Sequence, residues 1–249
     1  MMRIYSLFRM ATMACVALSV LSAARAQLGP NLVVNGSFEE PESTNLWGQG
    51  NPANWVAGQS FAGWTVTQGS VDLLRSGLRT GIGGANVGER NAYDGLQFLD
   101  LNGDVPGTIV QIITITQPGL YRLSFAMSAN IGHLGEVFPN SPRSMQVRLA
   151  QGASDLYNGV FTWDPAQHPG QRGHYYDDAL FYDWHQVDIT INAPGNYELS
   201  FASLYTEARA NGPVIDDVRL QLVPEPASML ALGTGLVGLL ARRRRQARA

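Results

Sequence analysis

Ile113-Thr-Ile-Thr-Gln-Pro-Gly-Leu-Tyr-Arg-Leu-Ser-Phe-Ala126 returns 76 residues later as Ile189-Thr-Ile-Asn-Ala-Pro-Gly-Asn-Tyr-Glu-Leu-Ser-Phe-Ala202, identical at ten of fourteen positions. Each copy reads as a strand, a Pro-Gly turn and a second strand. Tyr121, Leu123, Phe125 and Met127 alternate with Arg122, Ser124 and Ala126, and Tyr197, Leu199 and Phe201 alternate with Glu198 and Ser200. A period of two with one apolar face describes a half-buried antiparallel sheet. Two such hairpins most simply face one another across a sandwich core.

Outward from the repeat, Met145 to Ala150, Leu156 to Thr162 and Val214 to Leu222 read as further strands, as do Trp64 to Thr67, Val71 to Leu74 and Leu96 to Leu101. Asn31 to Phe38 reads as a first strand closed by an Asn-Gly turn, and Trp47 to Ser60 as a loop. Arg75 to Gly95 holds six glycines and reads as a long surface loop. No ten-residue stretch of this body carries sustained helical periodicity, so the fold class is all-β.

The two ends are different in kind. Arg3 and Arg9 precede an apolar run from Met10 to Leu21, and Ala24-Arg25-Ala26 places small residues where a signal peptidase reads them. Residues 1–26 are therefore an expected signal peptide, cut before Gln27. The other end, 223–249, reads Val223-Pro224-Glu225-Pro226, an uncharged run from Ala227 to Ala241, and then Arg242, Arg243, Arg244 and Arg245. At ~1.5 Å per residue a helix over that run spans ~22 Å, short of the ~30 Å hydrocarbon core. It is a marginal transmembrane helix, with its arginines cytoplasmic and all that precedes it across the membrane.

Between the ends, residues 27–222 carry nine arginines against nineteen acidic residues, a formal charge of -10. Such a surface repels phosphate backbones and anionic lipid, so nucleic acid is disfavoured and membrane contact is left to the tail. The chain has no lysine, which removes Schiff-base chemistry and amine nucleophiles. Its one cysteine, Cys15, lies in the signal segment, so the exported body is held by its core and not by disulfides.

The tail resembles the sorting segment of the PEP-CTERM family, in which Val-Pro-Glu-Pro, a short hydrophobic stretch and an arginine cluster follow in that order. The resemblance implies handling by an exosortase and a Gram-negative bacterium that makes extracellular polysaccharide. It also implies export across the inner membrane to the cell surface or extracellular matrix; an ordinary C-terminal anchor is the alternative. In the body, Asn31-Leu-Val-Val-Asn-Gly-Ser-Phe-Glu39, Gly63-Trp64, Leu99-Asp-Leu-Asn-Gly103, the Pro-Gly-Leu-Tyr-Arg-Leu-Ser-Phe repeat and Gly212-Pro-Val-Ile-Asp-Asp-Val-Arg-Leu220 resemble the choice-of-anchor C domain, related to the DUF642 proteins of plant cell walls. That resemblance implies a galactose-binding-like jelly-roll β-sandwich with no established catalytic residues. Its plant relatives are associated with wall polysaccharide.

Two constellations are candidates for binding. By alternation Asp216 points inward with Val218 and Leu220 and needs partners. The jelly-roll resemblance implies a structural calcium there, with Glu39 and Asp216 as ligands; capping of backbone amides is the other reading. From Trp163 to His185 the chain gathers Trp163, Tyr175, Tyr176, Asp177, Asp178 and Trp184, aromatic faces for sugar rings beside carboxylates for hydroxyls. The alternative is that these aromatics plug the end of the sandwich. His168, His174 and His185 match no zinc spacing. No Gly-x-Ser-x-Gly elbow occurs. Three functions follow: a non-enzymatic polysaccharide-binding or adhesion module, a hydrolase using paired carboxylates, or a purely structural matrix protein.

Overall fold

The computed structural model describes residues 27–43, 53–80, 86–130, 141–168, 180–206, 211–224 and 235; the expected signal peptide and the tail from Glu225 on, residue 235 apart, lie outside them. Among the described residues no helix is long and apolar enough to cross a membrane. Residues 30–221 form one compact unit.

The described strands are β1 (Ala53–Val56), β2 (Ser60–Phe61), β3 (Trp64–Gln68), β4 (Ser70–Arg75), β5 (Gly77–Thr80), β6 (Asn86–Arg90) and β7 (Gln97–Asp100), then β8 (Thr108–Ile115), β9 (Gly119–Ala129), β10 (Arg143–Gln151), β11 (Ser154–Trp163), β12 (Asp183–Ile191), β13 (Gly195–Ser203) and β14 (Pro213–Val223). A first sheet runs β1-β4-β7-β14-β9-β12, a second β11-β10-β13-β8-β3-β2, and β5 pairs β6 as a separate ribbon. The chain is all-β, as its period-two patterning predicts.

The connectivity is a rolled hairpin. β10 and β11 pair at the tip, with Arg143 opposite Trp163. The two arms then pair successively as β9 with β12, β8 with β13, and β7 with β14, falling alternately in the first and second sheets. That arrangement is a jelly roll.

The repeats pair with each other. Ile113 lies opposite Tyr197, and Ile189 opposite Tyr121, so each copy's first strand is hydrogen-bonded to the other copy's second strand. The Pro-Gly links are consequently not hairpin turns. β8 and β9 lie in different sheets, as do β12 and β13, and each link is an arch across the core. The two arches are braced alike: Tyr121 Oη donates to Gln117 O at 2.8 Å, and Tyr197 Oη to Ala193 O at 2.7 Å. Between the sheets Tyr121, Leu123, Phe125, Met127, Tyr197, Leu199 and Phe201 are buried, with Phe125 edge-on to Phe201 at 5.5 Å.

Three readings of local structure are corrected. Asn31 to Phe38 is not a strand. Asn31 Oδ1 accepts from Val33 N and Leu220 N while its Nδ2 donates to Val218 O, so a side chain takes the place of part of a backbone ladder. Gly36 passes so close to β14 that a Cβ there would lie 2.0 Å from Val218 O. The glycine-rich span Arg75 to Gly95 contains the β5–β6 ribbon, and the loop before Ser60 contains β1, an edge of the first sheet.

Because the arches are related by the roll, Tyr121→Phe and Tyr197→Phe should cost similar amounts, each about 0.5–1.5 kcal/mol for one lost hydrogen bond. Urea melts of both single variants and the double variant check this. A double variant no less stable than either single would show that the arches are not braced independently.

Candidate functional site

The outer face of the first sheet carries the site. Along β12, Trp184, Gln186, Asp188 and Thr190 are exposed while Ile189 and Ile191 are buried. On the neighbouring strand Ala126, Ser124 and Arg122 stand opposite Trp184, Gln186 and Asp188. Arg122 Nε and Nη2 donate to the two oxygens of Asp188 at 2.7 and 2.8 Å. On β14, Arg219 makes the same fork with Asp217 at 2.7 Å for both bonds, and its guanidinium lies 5.9 Å from the centre of the Trp184 ring.

The loop between β6 and β7 supplies the rest. Tyr93 stacks on Trp184 with ring centres 5.4 Å apart and planes 16° apart, and meets Tyr182 edge-on at 5.5 Å. At that spacing two rings are offset and neither covers the other. Tyr93 remains 47% exposed and Trp184 38%. Beneath them Leu74, Phe98 and Val214 form a small apolar cluster against which Ala92, Leu180 and Tyr182 pack.

Two carboxylates hold this loop. Asp216 Oδ2 accepts from Tyr93 N at 2.7 Å and Asp94 N at 2.9 Å, and its Oδ1 from Asp217 N. Glu39 Oε1 accepts from Leu96 N at 2.8 Å and Gln97 N at 2.7 Å. Between them Gly95 adopts φ +68°, and a Cβ there would meet Glu39. Asp216 is buried as expected, but beneath the loop and not in the core with Val218. The cause is Asp217, whose left-handed φ of +49° breaks the alternation of β14. Val214 and Arg219 thus serve one face although they are five positions apart, an odd offset that strict alternation would put on opposite faces.

Glu39 and Asp216, the expected calcium ligands, therefore already accept five backbone N–H bonds, a donor set that suits amide capping. Among the described residues no group of three or more His, Cys, Asp or Glu side chains is arranged to hold a metal ion.

The expected aromatic cluster divides. Trp184 is on the outer face, whereas Trp163 is fully buried, donates Nε1–H to Phe181 O at 2.9 Å and stacks on His168 at 4.8 Å, so it presents no face to a sugar. Tyr175, Tyr176, Asp177, Asp178 and His174 lie outside the described residues. His168 bonds Asp183, and His185 sits against Phe125 and Phe161 with its pKa lowered by burial. Asp72 and Asp100 stand opposite each other on β4 and β7. Burial raises their carboxyls to about 6 and about 7, and Asp216 to about 8. Asp72 and Asp100 are closed off from solvent, so this pair cannot flank a glycosidic bond.

The family described as "Protein of unknown function (DUF642)" matches residues 31–221, and the PEP-CTERM protein-sorting motif matches residues 222–245. Halomucin of Haloquadratum walsbyi is 28% identical over 226 residues, which cover 87% of this chain and 2% of that far longer protein. Among solved structures the chain is similar to the CBM22-1 xylan-binding domain of Paenibacillus barcinonensis Xyn10C, at 15% identity and a TM-score of 0.41, covering 80% of this chain and 99% of that one. It is also similar to TmCBM61 in complex with β-1,4-galactotriose, at 13% identity and a TM-score of 0.40, covering 77% and 98%.

Two measurements on stability follow from these carboxylates. Asp72, Asp100 and Asp216 hold protons in the folded state that the unfolded chain has released, so their contribution is full below the ordinary carboxylate range and is lost as pH rises through 6, 7 and 8. The melting temperature should accordingly fall between about pH 4 and about pH 8; a flat or rising profile would contradict buried neutral carboxyls. Chelator and added calcium should both leave the melt unchanged, and a rise with calcium would put an ion at Glu39 and Asp216.

Proposed function

We propose that this chain, which belongs to the DUF642 family, is an exported protein that binds polysaccharide through the outer face of its first sheet. The observation that carries the reading is the exposed, stacked pair Tyr93 and Trp184 beside two forked Arg–Asp pairs. A pyranose ring presents an apolar face and a rim of hydroxyls. Aromatic rings bury the former, and guanidinium and carboxylate groups hydrogen-bond the latter. Gln186 continues the polar strip from Trp184 toward Asp188, ~13 Å along β12 at ~3.3 Å per residue.

The sorting motif supports the rest of the reading. An exosortase handles the tail, and the body stays at the surface or in the matrix of a Gram-negative bacterium, where it adheres to polysaccharide. Since β14 ends at Val223, cleavage after Pro224 leaves every strand of the roll in place. Calcium has no part in this reading, and neither does bond cleavage.

Incubation with exopolysaccharide extracted from the producing organism is the direct test. Trp184→Ala and Tyr93→Ala should each weaken retention about ten-fold, equivalent to ~1.4 kcal/mol, with the melt intact. Trp163→Ala should instead destabilise the fold by about 3–5 kcal/mol. Unchanged retention in the first two variants would sink the site, and new reducing ends in the incubation would favour hydrolysis. Mass spectrometry of secreted protein should find a C-terminus before Arg242; one beyond Arg245 would contradict tail removal.

A further inference from the structure

We infer that the polysaccharide taken by this face is electrically neutral, a hydroxyl-bearing polymer without uronate or sulfate groups. This rests on the polysaccharide reading above and narrows its ligand. An acidic sugar is recognised by a guanidinium whose fork is free for a carboxylate or sulfate. On this face both guanidiniums already have their charge matched by a carboxylate. Arg122 is closed on Asp188 and Arg219 on Asp217, each through two bonds of 2.7–2.8 Å. Of the five N–H donors on each guanidinium two are used within the pair, and the three left over, on a group whose charge is already matched, suit hydrogen bonds to neutral hydroxyls.

Three other arginines with described side chains are engaged as well. Arg75 pairs with Glu42, and Arg148 with Asp155 and Glu198, while Arg143 is buried and donates to Asn211 O. At the Trp184 end Asp94 lies within electrostatic reach of Asp217 and Arg219, which leaves that end with one negative charge in excess. The whole body adds a formal -10. An acidic polymer approaching the stacked rings would therefore meet repulsion without an unmatched positive charge to offset it. A neutral polymer loses nothing.

Affinity electrophoresis of the full chain tests this, using gels that carry xylan, galactan or β-glucan and gels that carry polygalacturonate or alginate, at about 20 and about 500 mM salt. Retention by at least one neutral polymer, changed less than about two-fold by salt, with none by the uronates, is the expected result. Retention by a uronate that disappears in salt overturns the neutral assignment and leaves the polysaccharide reading standing. Unretarded migration through every gel overturns both. Asp188→Asn and Asp217→Asn, which release Arg122 and Arg219, should create salt-sensitive retention by polygalacturonate. If neither does, guanidinium pairing is not what excludes acidic polymers.

Discussion

The constraint that ties both sheets of this molecule together is the reciprocal pairing of two closely similar segments. Ile113 faces Tyr197 and Ile189 faces Tyr121. Neither segment can bury its apolar face or satisfy its backbone alone, because its own two strands lie in opposite sheets. Each therefore completes the other. With no lysine and no cysteine in the body, this exchange and the aromatic core it encloses carry the cohesion that many exported domains derive from disulfides.

The same pairing explains how much of the fold could be read in advance. Alternation along Tyr121 to Met127 and Tyr197 to Phe201 identifies the buried faces correctly, since side-chain period is a local property. Which strand lies beside which is not local. A Pro-Gly link serves a hairpin and an arch equally well, and only the competition for backbone partners decides between them. Asn31 to Phe38 misleads for a related reason: its β-branched residues favour a strand, but the Asn31 side chain satisfies Val218 and Leu220 in place of backbone groups.

Composition named both tryptophans of one stretch and could not tell their places apart. Trp163 and Trp184 are chemically alike, yet one ends a strand inside the roll and the other stands on an outward position of an edge strand. Parity along β12 distinguishes Trp184 once the strand's start at Asp183 is known. Tyr93 carried no such signal, because it sits in a loop whose path is fixed by remote carboxylates, Asp216 and Glu39, bonding to its amides. Asp216 itself was legible as a buried acid and illegible in direction, since nothing in Ile215-Asp-Asp-Val218 announces that Asp217 turns left-handed.

The left-handed residue in β14 also bears on how this face can change over evolutionary time. Upstream of it Val214 builds the floor under the aromatic rings, and downstream Val218 and Leu220 build the core while Arg219 serves the surface. The two halves of one strand are out of phase by one residue, and Asp217 is the phase shift. Losing a residue there would drive Arg219 into the sandwich and turn Val218 and Leu220 outward. Exchanging side chains on the outer face leaves the phase untouched. Substitution is thus an open route to a new ligand preference for this scaffold, whereas length variation within its last strand is closed.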